Sequence, residues 1–137
     1  MNKAIIIAAA LTIGCSQTQA QGNVKNIGKN NITLNSKLMT PEALWAMGRI
    51  AGAQASPDGK NIVYQVGYYS VKENRGHQVL YIMPADGREN KLLTTDAKSE
   101  TDAVWIEGGK RIAFLREGQI WAMNPDGTGR QQLTHDK

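Results

Sequence analysis

The side chains that could do chemistry in this chain are few. His77 and His135 are the only histidines in 137 residues. His77 follows Ser70 and Glu73 in a polar stretch, so the three types needed for a Ser–His–acid nucleophile occur together. A serine near a histidine in such a stretch is ordinarily solvated, and no Gly-x-Ser-x-Gly elbow accompanies it to expose a nucleophile. Asp86, Asp96, Asp102 and Asp126 have the oxygen chemistry of a hard-cation site, but their spacing matches turns at the corners of a repeated unit. Cys15 is the single cysteine, which excludes an intramolecular disulfide and a cysteine-based metal site. Trp45, Trp105 and Trp121 could line a ligand surface, but Trp105 and Trp121 each occupy a blade position that the repeat shares with the first unit, at Ala55 and Tyr81, where core packing is the better account. No catalytic, cofactor-binding or metal-binding residue is assigned.

The elements that must position these residues follow from an internal repeat. Ala55-Ser56-Pro57-Asp58-Gly59-Lys60 and Asn61 to Tyr64 recur in altered form from Trp105 to Phe114. Tyr81 to Gly87, closing on Leu93-Thr94, recurs as Trp121 to Gly127, closing on Leu133-Thr134. Asp86 and Asp126 are 40 residues apart, as are Thr94 and Thr134, whereas Gly59 and Gly109 are 50 apart. The first unit therefore holds about ten extra residues, placed in Val66 to His77 as a solvated surface hairpin. Tyr68, Tyr69 and Val71 could extend its flanking strands.

Each unit reads as four short antiparallel strands. Ser56-Pro57-Asp58-Gly59 has type I turn chemistry. Glu117-Gly118 predicts a tight hairpin, and Asp86-Gly87 and Asp126-Gly127 mark the last turn. A period near 40 with four strands per unit is that of a β-propeller blade. The expected fold is all-β: the first two blades of an incomplete propeller, which needs roughly 4–8 blades to close. Two blades alone would leave sheet faces and edges uncovered, so residues 51–137 are not expected to be stable by themselves.

Lys3 followed by the apolar run from Ala4 to Gly14 reads as a secretory leader, too short to span a membrane. Cleavage after Ala20 and lipidation at Cys15 are the two processing routes, the second weakened by Thr12 where a lipobox has leucine. The formal charge is +4, or +3 without Lys3, the one charged side chain before Lys25. The basic residues are scattered, which gives nucleic-acid binding no support. The predicted layout is a signal peptide over 1–20, a flexible tether over 21–37 and a short entry helix over 38–50. Blade one, with its inserted hairpin, follows over 51–95 and blade two over 96–137. Thr40 is the expected N-cap, Pro41 the first helical residue and Gly48 the stop, with a Met39–Leu44 staple and Leu44, Trp45 and Met47 packed inward. His135 is expected at the start of a linker.

The stretch Thr40-Pro41-Glu42-Ala43-Leu44-Trp45, then Arg49-Ile50-Ala51 and Ser56-Pro57-Asp58-Gly59-Lys60, resembles the propeller entry of the prolyl-oligopeptidase family of serine peptidases. The likeness is strongest to its exported bacterial dipeptidyl-peptidase V and acylaminoacyl-peptidase branch, over residues 38–137. It implies a propeller that caps an α/β-hydrolase domain and admits only short peptides to a serine nucleophile. None of the family's catalytic positions is present in this chain. The resemblance implies an exported periplasmic or envelope protein with short peptides as partners and no cofactor. Ser-Pro-Asp-Gly-Lys with Asp-Gly and Leu-Thr also occurs in propellers of the Tol–Pal envelope system, which gives a second reading: a binding module for protein partners, without catalysis. A truncated, non-functional remnant is the third.

Overall fold

The computed structural model describes residues 27–29 and 38–135. The leader, both processing routes at Ala20 and Cys15, and most of the expected tether lie outside the described residues. Among the described residues, no helix is long and apolar enough to cross a membrane.

One helix and two four-stranded antiparallel sheets make up the structure. Helix α1 (Pro41–Ala46) precedes sheet A, formed by β1 (Arg49–Ala55), β2 (Asn61–Ser70), β3 (Arg75–Pro84) and β4 (Lys91–Leu92) in spatial order. Sheet B repeats the order with β5 (Glu100–Ile106), β6 (Arg111–Arg116), β7 (Gln119–Met123) and β8 (Gln131–Gln132). Sequential meanders of four strands, stacked one sheet on the next, are the architecture of consecutive propeller blades, and the all-β expectation holds.

Local chemistry explains the turns. The Gly59 amide donates to Ser56 O at 2.8 Å, closing the Ser-Pro-Asp-Gly turn. The buried Ser56 hydroxyl donates to Asp58 Oδ1 at 2.6 Å and accepts from the Asn61 amide at 2.9 Å, which ties the turn to β2. At the β6–β7 hairpin both central residues are left-handed, Glu117 at φ 52° and Gly118 at φ 75°, the geometry that matches strand twist. The first strands of the two sheets, β1 and β5, carry the same irregularity. Their pairing shifts between Ala51 and Gln54 and between Thr101 and Val104, with Gly52 and Asp102 in the left-handed region.

The inserted stretch is a strand extension rather than a solvated loop. Pairing continues through Tyr68–His77 and Tyr69–Gly76 to Ser70–Arg75, so the ten extra residues lengthen one hairpin. The period-2 rule then decides what faces what. Val63, Leu80 and Ile82 point toward sheet B and join Leu93, Ala103, Ile112, Phe114 and Met123 in the inter-sheet core, with Trp105 and Trp121 packed against it. The opposite face of sheet A carries Tyr64, Val66, Tyr68 and Val79, and Ile27 is buried on it. Part of the stretch expected as a tether is thus docked on the sheet.

The entry helix forms as expected at its start and differs at its end. The Ala43 amide donates to Thr40 Oγ1 at 3.2 Å. Its cap residue Met47 is extended, so Gly48 does not supply a left-handed stop. A Cβ at Gly48 would lie 2.8 Å from Val66 Cγ1 and 2.9 Å from Tyr68 Cε1, so glycine is required there for close approach. Only Ala43 is buried on α1; Leu44, Trp45 and Met47 are exposed, contrary to expectation, and Met39 is exposed as well.

Candidate functional site

Ser70, Glu73 and His77, whose types suit a nucleophilic triad, are engaged separately. Ser70 Oγ accepts from the Glu73 amide at 3.2 Å, capping the β2–β3 turn. The Glu73 carboxylate accepts from Arg75 at 3.1 Å. His77 sits two strand positions further along, opposite Tyr68, and is buried rather than in a loop. Burial, and secondarily the Arg75 charge, push its imidazole below the usual range, which favours the neutral ring. Extension of the hairpin explains both results, because it turns a polar loop into paired strand.

The four aspartates separate into two kinds. Asp86 and Asp126 hold turns as expected: Asp86 Oδ1 accepts from the Arg88 amide at 3.1 Å, and Asp126 Oδ1 from the Thr128 amide at 2.9 Å and its hydroxyl at 2.6 Å. Those bonds hold the Asp126 carboxyl below its usual range. Asp102 lies at the β5 irregularity, where its amide donates to Gln65 Oε1 at 3.0 Å. Asp96 belongs to an ion-pair cluster rather than to a turn. Among the described residues no group of acidic, histidine or cysteine side chains is arranged to hold a metal ion. His135 is exposed beyond β8.

That cluster spans the junction between the sheets. Arg130 Nη1 lies 2.6 Å from Asp96 Oδ2 and 3.4 Å from Glu100 Oε1, while its Nη2 donates to Leu93 O at 2.7 Å. Arg116 Nη1 is 2.9 Å from the same Asp96 oxygen and stacks over Trp121 at 5.1 Å. Glu100 is fully buried. Burial raises its carboxyl above the usual range; the Thr94 hydrogen bond and Arg130 pull the other way. Two guanidiniums face two carboxyls on the connection and sheet B, and the Arg130 bond to Leu93 O clasps this cluster to the first unit. Sequence reasoning missed it because Arg116 and Arg130 are 14 residues apart and meet Asp96 only through the meander.

Further contacts cross the same junction. Trp105 Nε1 donates to Gln54 O at 3.1 Å and Lys91 Nζ to Asp126 O at 2.8 Å. The Gln78 amide donates to Ser99 Oγ at 3.1 Å, and within sheet A the Gln65 Nε2 donates to Gln78 Oε1 at 3.1 Å. A groove of about 390 Å³ is lined there by Arg49, Gln65, Tyr68, His77 and Ser99 among others. A second, also about 390 Å³, lies between α1 and the hairpin tip, with Glu42, Trp45, Tyr69 and Lys72 on its walls. A third of about 330 Å³ lies under Ile27 to Lys29, beside Tyr68 and Tyr81, whose hydroxyls are 3.2 Å apart.

Comparison with known proteins finds curated relatives and solved structures similar to this segment. Over 106 residues it is 41% identical to dipeptidyl-peptidase 5 of Porphyromonas endodontalis, and over 117 residues 36% identical to dipeptidyl-peptidase 5 of Porphyromonas gingivalis. The segment is similar to prolyl-oligopeptidase-family serine peptidases. The matches cover 74% and 84% of this chain but only 15% and 16% of those relatives. No family model matches the chain. In structure it is similar to the acylaminoacyl peptidase of Pyrococcus horikoshii (TM-score 0.56, 16% identity, 69% of this chain and 15% of that one). It is also similar to the apo form of the isopeptidase AtxE2 (TM-score 0.58, 18% identity, 72% of this chain and 20% of that one). At those identities the structural likenesses establish the fold of the segment.

Proposed function

We propose that this chain is the propeller-forming portion of an exported serine peptidase that releases dipeptides or acyl-amino acids from short peptides, with the blades acting as scaffold and size gate. The observation that carries the reading is 41% identity to a dipeptidyl-peptidase 5 across a stretch that is two stacked blades in this structure. The ion-pair clasp and the buried inter-sheet core suit a rigid scaffold. In this reading the leader over 1–20 directs export to the periplasm or envelope, with cleavage after Ala20 or lipidation at Cys15 as the processing step. Bond cleavage belongs to a hydrolase domain encoded beyond these residues, where a serine nucleophile, a histidine base and an orienting acid would act on the peptide carbonyl.

The test starts with the native polypeptide in envelope fractions of the source cell, detected by an antibody to residues 78–98. A polypeptide several times the 15.0 kDa of this chain, releasing dipeptides or acyl-amino acids from chromogenic peptides and inactivated by a serine-directed phosphonate, is the expected result. A large polypeptide without such activity would favour a propeller that binds protein partners. A native product of about this mass would overturn the peptidase reading.

A further inference from the structure

Two glycines of the long hairpin are not required by the fold around them. Gly67 lies in the interior of β2 and Gly76 in β3. Glycine weakens a strand, and where it stands in one it marks a bulge, a tight bend, or the close approach of another backbone or of a ligand. Pairing runs without a shift through Arg49–Gly67, Gly67–Gln78 and Tyr69–Gly76, so neither glycine makes a bulge. Neither has a positive φ. A Cβ at Gly67 would come no nearer than 3.8 Å to Gln78 Cγ and 3.9 Å to Arg49 O, and one at Gly76 would meet Tyr68 O at 3.6 Å. Those are ordinary contacts, so among the described residues no neighbour demands glycine at either position.

Both glycines line the groove of about 390 Å³ that runs between Arg49 and Ser99. Directly paired residues of an antiparallel sheet share a face, so Arg49, Gly67 and Gln78 form one row across β1, β2 and β3. The two ends of that row carry hydrogen-bond donors, and its centre carries no side chain. Arg49 is exposed, stacks 4.8 Å over the Trp45 ring and makes no ion pair among the described residues. Gln78 Oε1 accepts from Gln65 Nε2, while Gln78 Nε2 has no acceptor among the described residues. Tyr69, 5.0 Å from Trp45, is a further wall, and no acidic side chain lines the groove. A guanidinium holds a carboxylate in a planar fork, and its stack on the indole fixes the fork beforehand. One cation and one amide donor across a bare strand suit a single negative charge carried on a peptide main chain, rather than a doubly charged phosphate.

We infer that this row recognises the free C-terminal carboxylate of a short peptide, with Arg49 holding the carboxylate and the glycine floor admitting the residue that bears it. The inference rests on the peptidase reading and names what the blades recognise in a substrate: the end of its chain, so that length is sensed through charge. The probes are acetyl-dialanine, its C-terminal amide, and acetyl-Ala-Glu amide, whose one carboxylate is on the side chain. Their binding is measured by titration calorimetry on the intact native-length protein after treatment with a serine-directed phosphonate, which prevents turnover. Acetyl-dialanine is expected to bind roughly tenfold more tightly than either amide, and Arg49→Met to abolish the difference. Gly67→Ala adds only a Cβ with ordinary contacts, so it retains the fold even if the Arg49 variant does not. It is expected to weaken acetyl-dialanine binding about fivefold by raising the floor. Equal affinity for acid and amides, equal binding of the side-chain carboxylate, a preference that survives Arg49→Met, unchanged binding in Gly67→Ala, or no binding of any probe would each overturn the inference. Whether the phosphonate labels the protein decides the peptidase reading separately, so the two failures are distinguishable.

Discussion

At the scale of single residues, two side chains tie local structure to pH. Ser56 is buried at the first turn, where it holds both Asp58 and the Asn61 amide. Ser56→Ala removes both bonds and leaves the amide short of an acceptor, at a cost of about 1–2 kcal/mol, read as a lower midpoint in urea unfolding. The Ser56 bond is the chief reason the Asp58 carboxyl lies below its usual 3.8. A depressed folded pKa contributes stability above the unfolded value and loses it as pH falls through the folded one. The difference between wild type and Ser56→Ala is therefore expected to narrow below pH 3.8, which unfolding curves across that range would show. His77 runs by the other logic. Its folded pKa is depressed from 6.5, so the unfolded chain takes up the proton first and stability falls as pH drops through 6.5 toward the folded value. His77→Leu is expected to flatten this part of the profile, measured as melting temperature between pH 7.5 and 5.5. An unchanged slope would mean that His77 is as protonatable folded as unfolded.

At the scale of elements, the turns were legible and the junctions were not. Ser-Pro-Asp-Gly and Asp-Gly act within a few residues, so composition alone locates them, and the structure bonds them as expected. The insertion was expected as a solvated hairpin, and the structure forms a hairpin whose pairing runs on to Ser70–Arg75 and buries His77. Tyr68 and His77 are cross-strand partners nine residues apart, and packing of the Tyr64–Val66–Tyr68 face adds to the strand preference of the tyrosines and decides strand over loop. The clasp is further from the sequence still, since Asp96, Glu100, Arg116 and Arg130 come from a connection and three strands or turns. Arg130→Met removes the donors to Asp96, Glu100 and Leu93 O together. Complete burial of such a pair would make its loss worth roughly 3–5 kcal/mol; with Asp96 38% exposed, about 2 kcal/mol is the expected loss. Arg130→Lys would recover only part of it, because one ammonium cannot hold the carboxylate and the carbonyl in the planar fork. Urea unfolding of the intact protein checks both, and equal stability of all three forms would show that the clasp is incidental.

At the scale of the whole molecule, the two sheets obey one rule and differ in how far it is satisfied. Val63, Leu80, Ile82 and Leu93 in sheet A are at most 8% exposed because sheet B covers them. By the repeat, Leu80 corresponds to Ile120 and Leu93 to Leu133, and these are 41% and 44% exposed. The side chains are equivalent in type and register; what differs is the neighbour. Stacking of this kind is head to tail, so each unit offers one face and requires another. A substitution on the open face should then have opposite effects in two settings. Ile120→Glu in the isolated chain places a charge on an uncovered apolar face and is expected to reduce its self-association, seen as a smaller apparent mass in light scattering. In the intact protein the same carboxylate would be buried against the next blade without a partner, costing about 2–5 kcal/mol of stability, as loss of a large core side chain does, and read as a lower melting temperature. A substitution that proved neutral in the intact protein would mean that no further blade rests on sheet B, and the head-to-tail rule would stop at the junction seen in this structure.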